Sequence, residues 1–214
     1  MHPLAIRCER FSAQASSRAI APTELRELVL SLDPDRILPA REWLCRFEAG
    51  TLEVDAVCLT FDAIHPSQFE LALPVLREFA LTAFWFVDAA ALPGAATTLG
   101  HSFNIQRCLA ELHAGDHVIG IYPRHAPEPL ASLPIRVQLK TCRDNCAYLL
   151  ELLGERPVCV THPDNAYSGD TLEVLRQMGI KLGFRRDAVQ TEYSELEFPR
   201  VEALHIIRAL RVAH

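Results

Sequence analysis

From position 57 onward the chain alternates short runs of β-branched and aromatic residues with longer helix-forming stretches, and this alternation restricts the fold more than any other feature. Strands are expected at 57–61 (VCLTF), 82–87 (TAFWFV), 117–121 (HVIGI), 158–161 (VCVT) and 182–184 (LGF). Helices are expected near 67–79, 105–114, 136–153 and 170–178, with Pro74 kinking or restarting the first. Strands separated by helices pair through crossovers rather than hairpins, so the pattern predicts an α/β fold, a parallel sheet or barrel covered by helices. In the helix at 136–153, Val137, Leu139, Cys142, Cys146, Leu149, Leu150 and Leu153 form one apolar stripe that should face the sheet. Segments 91–94 and 124–133 read as loops.

The residues before this alternation have a different character. Pro22-Thr23-Glu24 opens a helix whose Leu25, Leu28, Val29 and Leu32 share one face. A second helix at 39–49 places Trp43, Leu44 and Phe47 on one side and stops at Gly50. Residues 1–52 therefore read as an N-terminal helical approach segment and 53–214 as the barrel core of a single domain. A chain of 214 residues, half of them apolar, is long enough to bury such a core.

Composition removes several classes of function. The net charge of −6 and the interspersed charges lack the basic face that nucleic-acid binding needs, and Lys140 and Lys181 are the only lysines among 21 basic residues. No run approaches the roughly 18 apolar residues of a membrane span. The N-terminal MHPLAIRCERFSAQASS is broken by Arg7 and Glu9 and falls short of a signal peptide's apolar core, so a cytoplasmic location is expected. Seven scattered cysteines suit buried thiols in a reducing compartment, and Cys142 and Cys146, four apart on one helical face, read as core packing.

In parallel α/β folds the chemistry gathers at the carboxyl ends of the strands. Asp62, Ala63 and His65 follow the first of the five strands. Tyr122, Pro123, Arg124 and His125 follow the third, and His162, Pro163, Asp164, Asn165 and Tyr167 follow the fourth. Arg185 and Arg186 follow the fifth, and Arg200 lies in the closing segment. These arginines suit either ion pairs or the clamping of an anionic or hydroxyl-rich ligand. His117, ahead of Val-Ile-Gly-Ile on a strand, reads as a structural histidine.

Three segments resemble the motifs of the polysaccharide deacetylase superfamily, the NodB-homology or carbohydrate esterase family 4 fold. LTFDAIHPSQFELALPVLREFALTAFWFV is similar to the segment that usually carries Thr-Phe-Asp-Asp-Gly. GDHVIGIYPRHAP is similar to the second motif, usually His-x-Ile-Gly-x-His-Ser/Thr-x-x-His. THPDNAYSGDTLEVLRQMGIKLGFR is similar to the third, and LEFPRVEA to the closing strand. The resemblance implies a distorted (β/α) barrel of the NodB-like type.

It also implies a site. Asp62 takes the position of the family's general base, while the positions of its metal ligands, one Asp and two His, fall on Ala63, Tyr122 and Ala126. Alanine has no donor atom, and a neutral phenol with a pKa of about 10 is a poor substitute for imidazole. Zinc-bound water ionises near pH 7 and free water near 15.7, a gap worth on the order of 12 kcal/mol. A positioned base supplies only about 10²–10⁴-fold. The resemblance therefore implies a pseudoenzyme with Asp62 as a remnant base and no cofactor, binding a carbohydrate, an acylated sugar or a protein partner in glycan biosynthesis. Its ligand groove would be drawn from His65, Tyr122, His125, His162, Asp164, Asn165, Tyr167 and Arg200. Two alternatives stay open at this level. One is an active hydrolase of acetylated sugars through a remodelled zinc site of Asp62, His125 and His162, and the other is a scaffold subunit of an active deacetylase.

Overall fold

The computed structural model describes residues 3–89, 104–124, 128–188 and 193–212. Seven strands form one sheet in the order β6-β5-β4-β3-β2-β1-β7, with every registered pair parallel. They are β1 (Leu4–Cys8), β2 (Val57–Phe61), β3 (Phe84–Val87), β4 (Val118–Ile121), β5 (Cys159–Thr161), β6 (Leu182–Phe184) and β7 (Arg200–Glu202). With α-helices between successive strands from β1 to β6, this is the (β/α)-barrel class of the NodB-like type that the alternation and motifs predict. Chain contacts group into two units, Met1–Trp85 with Gly115–Val118 and Arg200–His214, and Phe86–Ala114 with Ile119–Pro199. The segment 91–94 and part of 124–133, both expected as loops, lie outside the described residues.

In the first unit, helices α1 (Pro22–Ser31) and α2 (Ala40–Glu48) form close to where they are expected. Pro22 sits in the first turn of α1, and the Glu24 carboxylate reaches back to accept the Ala21 N–H at 2.7 Å. Helix α2 ends at Gly50, whose φ of 66° is open to a residue without a Cβ. The N-terminal segment is more than a helical approach, because Leu4–Cys8 enters the sheet between β2 and β7. The residue that disguised this strand is Arg7. It is buried in the strand because Glu9 and, at 3.4 Å, Glu202 take its charge. Gln68–Ala72 forms a π-turn, and α3 (Leu73–Glu78) restarts beside Pro74 as that proline requires. Phe61 stacks on Trp85 with ring centroids 4.2 Å apart, and Phe11 covers the other side of Phe61 at 5.9 Å.

In the second unit, α4 (Ile105–Ala114), α5 (Ile135–Leu153) and α6 (Gly169–Gln177) accompany β4, β5 and β6. The buried face of α5 differs from the expected stripe. It is Gln138, Cys142, Asn145, Cys146 and Leu149, while Leu150 stands exposed. Two amides can be buried there because both are bonded. Thr171 donates to Gln138 Oε1 at 2.6 Å, and Asn145 Oδ1 accepts the Ala89 N–H at 2.8 Å. Segment 193–198 runs beside β6, with Gly183 donating to Glu195 O at 2.9 Å and accepting from Phe198 N at 2.7 Å. At Gly183 a Cβ would lie 2.2 Å from Leu196 O, so only glycine permits that approach. Burial raises the Cys142 thiol to about 12 and the Cys146 thiol to about 11, which keeps both protonated and inert. Among the described residues, no helix is long and apolar enough to cross a membrane.

Candidate functional site

The expected site residues fall into two clusters, one in each unit. In the first, Asp62 caps β2 and is 6% exposed, and its two carboxylate oxygens each accept an Arg200 N–H at 2.7 Å. Arg200 is itself 1% exposed, and the same Nη1 also reaches Thr60 Oγ1 at 3.1 Å. Register explains how an arginine of β7 reaches a residue of β2 across β1. Arg200 is opposite Ala5, and Ala5 is opposite Cys58, so Arg200 shares the face of the sheet that carries Cys58, Thr60 and Asp62. The fork geometry is that of a bidentate carboxylate pair, the strongest form such a contact takes. Arg200 thus takes the ion-pair role rather than lining an open groove.

The loop after Asp62 is held from below by a residue that the sequence reading did not single out. Gln68 is fully buried, its amide nitrogen donates to Asp62 O and Glu9 O at 2.9 Å each, and its Oε1 accepts the His65 N–H at 3.1 Å. A glutamine within a helical stretch carries no signal in spacing that would mark it. His65 is exposed, with Nδ1 accepting the Ser67 N–H at 3.2 Å and lying 2.9 Å from Ser67 Oγ, a local contact at a helix start. Ala63 is exposed with φ at 50°, a left-handed conformation in which Asn and Asp are far commoner than alanine. Ala63→Asn is accordingly expected to raise stability by about 0.5–1 kcal/mol, read as about 2–3 °C in thermal unfolding. No change in melting temperature would mean that the loop relaxes the strain without the substitution.

The second cluster lies at the carboxyl ends of β5 and β6. His162 is buried, and because Leu196 O can only accept, its Nε2 carries the proton of the 2.7 Å bond between them. The ring packs against Tyr167 with centroids 4.3 Å apart. Burial, followed by the hydrogen bond to Glu197, raises the Tyr167 phenol to about 12. Asp164 and Asn165 have φ of 52° and 55°, two successive left-handed residues of the type that tolerates it. They are tied to the loop after β6. Asn165 accepts the Arg186 N–H and donates to Asp187, both at 2.7 Å, and Arg186 pairs with Asp164. Arg185 is buried with Asp187 at 3.2 Å. Asp187 and Glu197 were missed because neither belongs to a recognisable motif. Tyr122 is half-buried at the end of β4, its N–H bonded to Val87 O at 2.8 Å. His125 and Ala126 lie outside the described residues.

Of the metal positions that the resemblance implies, Ala63 and Tyr122 are described, and neither presents a carboxylate or an imidazole. Ala63 offers no donor, and the oxygens of Asp62 are bound by a guanidinium. The Nε2 of His162 is the donor to Leu196 O and so offers a metal no lone pair. Among the described residues, no three His, Cys, Asp or Glu side chains form a group able to hold a metal ion.

Comparison with known proteins places this geometry. The polysaccharide deacetylase family profile matches residues 49–183. No curated protein matches the sequence as a relative. Among solved structures, the deacetylase PplD of Streptococcus pyogenes, in complex with acetate, superimposes with a TM-score of 0.75 at 18% identity, covering 94% of this chain and 91% of that one. IcaB from Ammonifex degensii gives 0.75 at 22% identity over 94% and 91%. The BpsB deacetylase domain from Bordetella bronchiseptica gives 0.72 at 16% over 94% and 95%. Identities this low speak for the fold alone, but the profile spans most of the chain, and the protein belongs to the polysaccharide deacetylase family.

Proposed function

We propose that this protein is a pseudoenzyme of the family, which binds an acylated carbohydrate without a metal cofactor and does not hydrolyse it. One observation carries the reading. The retained Asp62 has both oxygens in a buried fork with Arg200, and the neighbouring family ligand position is a donorless alanine. A carboxylate so engaged serves as a structural anion, and without a metal a water beside it would keep its ordinary pKa. The acylated class of ligand is supported by family membership and by the acetate bound to the S. pyogenes relative. The seven cysteines are scattered along the chain and several are buried, which supports a reducing, cytoplasmic setting.

The test combines metal analysis with ligand binding, on protein purified without chelator. We expect no stoichiometric zinc, measurable calorimetric affinity for N-acetylated chito-oligosaccharides, and no acetate release from them. Stoichiometric zinc that disappears in His125→Ala or His162→Ala, together with chelator-sensitive acetate release, would establish the active hydrolase instead. No affinity for any acetylated oligosaccharide, with a catalytic relative co-purifying, would favour the scaffold role.

A further inference from the structure

We propose that His117 is an acid-sensitive latch, which holds the turn Gly115–Val118 to the start of β3 and, on protonation, lets go of it and loosens the aromatic stack beneath Asp62. The turn sits against the approach to β3, where the Val118 N–H donates to Ala83 O at 3.1 Å. His117 adds two polar contacts through a single atom. Its Nδ1 lies 3.0 Å from the Ala83 nitrogen and 3.1 Å from the Trp85 indole nitrogen. Both neighbours can only donate, so Nδ1 is the acceptor, and the proton of the neutral ring sits on Nε2. Protonating Nδ1 turns the acceptor into a third donor pointed at two others, and both bonds are lost together. Trp85 is fully buried, so its indole N–H finds no water in exchange.

The surroundings set the direction of the response. Burial is the main influence and lowers the imidazole pKa from 6.5 to about 4. The Ala83 backbone contact works the other way, Arg77 at the end of α3 disfavours the charged ring, and Asp116 in the turn itself favours it. Asp116 is largely exposed and is drawn off by Arg41 of α2 at 3.6 Å, which weakens its support for imidazolium. The folded value lies below the unfolded one, so the latched state is fully favoured above about pH 6.5 and loses its advantage as pH falls toward about 4. The consequence reaches the candidate site through packing. Trp85 stacks on Phe61 at 4.2 Å, and Phe61 immediately precedes Asp62. Trp85 also touches Phe69 of the π-turn at 5.5 Å, next to the Gln68 that holds the Asp62 loop.

The chain has two tryptophans, so a Trp43→Phe background isolates Trp85. Its emission is followed from pH 7.5 to 4 alongside far-ultraviolet dichroism. We expect an emission shift with a midpoint between about 4 and 6.5 while the helical signal is retained, and loss of that shift in His117→Gln, whose carbonyl accepts N–H bonds but does not titrate. The same shift in His117→Gln, or an emission change that coincides with loss of helix, overturns the proposal. Should the variant fail to fold, the imidazole C–H resonance of His117 in the otherwise unaltered protein decides the matter. A titration midpoint well below 6.5 that matches the emission shift supports the latch, and one at or above 6.5 overturns it.

Discussion

Changing Arg200→Met is expected to lower the free energy of unfolding by about 3–5 kcal/mol, because it leaves the Asp62 carboxylate buried with its charge uncompensated. Asp62 is 6% exposed and accepts two Arg200 bonds of 2.7 Å, and a methionine supplies neither. The reciprocal change, Asp62→Leu, strands a guanidinium that is 1% exposed and should cost a similar amount. The double variant should recover to within about 1–2 kcal/mol of the parent, since an apolar pair of similar volume often replaces a buried ion pair at little cost. Urea unfolding of all four proteins yields the coupling, which on these figures is at least about 4 kcal/mol. If the double variant is as unstable as the sum of the two singles, the pair is not the buried unit described.

Gly183→Ala should be as damaging, for a steric reason. The added Cβ would sit 2.2 Å from Leu196 O and 2.7 Å from Leu196 C, backbone atoms that no rotamer change can move. Relief requires segment 195–198 to lift from β6. That breaks the Gly183–Glu195 and Phe198–Gly183 bonds and withdraws the carbonyl to which His162 donates. Overpacking and the lost bonds together suggest about 3–5 kcal/mol. Gly169→Ala is the control. Nothing lies within 4 Å of its Cβ, it occupies the first turn of α6, and the change should be neutral or slightly stabilising. A loss of under about 1 kcal/mol for Gly183→Ala, measured in the same titration, would mean that the segment beside β6 is loosely held.

The fold was legible where hydrophobic period and chain order agree. Strands at 57–61 and 182–184 and the helix at 105–114 stand where the alternation places them, because buried parallel strands are continuous apolar runs between helix-forming stretches. Strand β1 was not legible, since a five-residue stretch containing an arginine reads as a strand only when Glu9 and Glu202 are known to neutralise it. The buried face of α5 was misread for a related reason. Gln138 and Asn145 count as polar in any periodicity, yet are apolar in effect once Thr171 and Ala89 satisfy them.

At the candidate site the sequence by itself determined which groups are available: a carboxylate at Asp62, an alanine beside it at Ala63, and polar residues after several of the strands. Those are properties of side chains, and local motifs report them directly. The tertiary structure alone decided what the groups do. Arg200 meets Asp62 across 138 positions because the register of β7, β1 and β2 puts both on one face of the sheet, and His117 is an acceptor because two donors from β3 and its approach converge on one nitrogen. Charge pairing, burial and tautomer depend on which atoms lie within about 3 Å, and no sequence spacing encodes contacts made between strands so far apart in the chain.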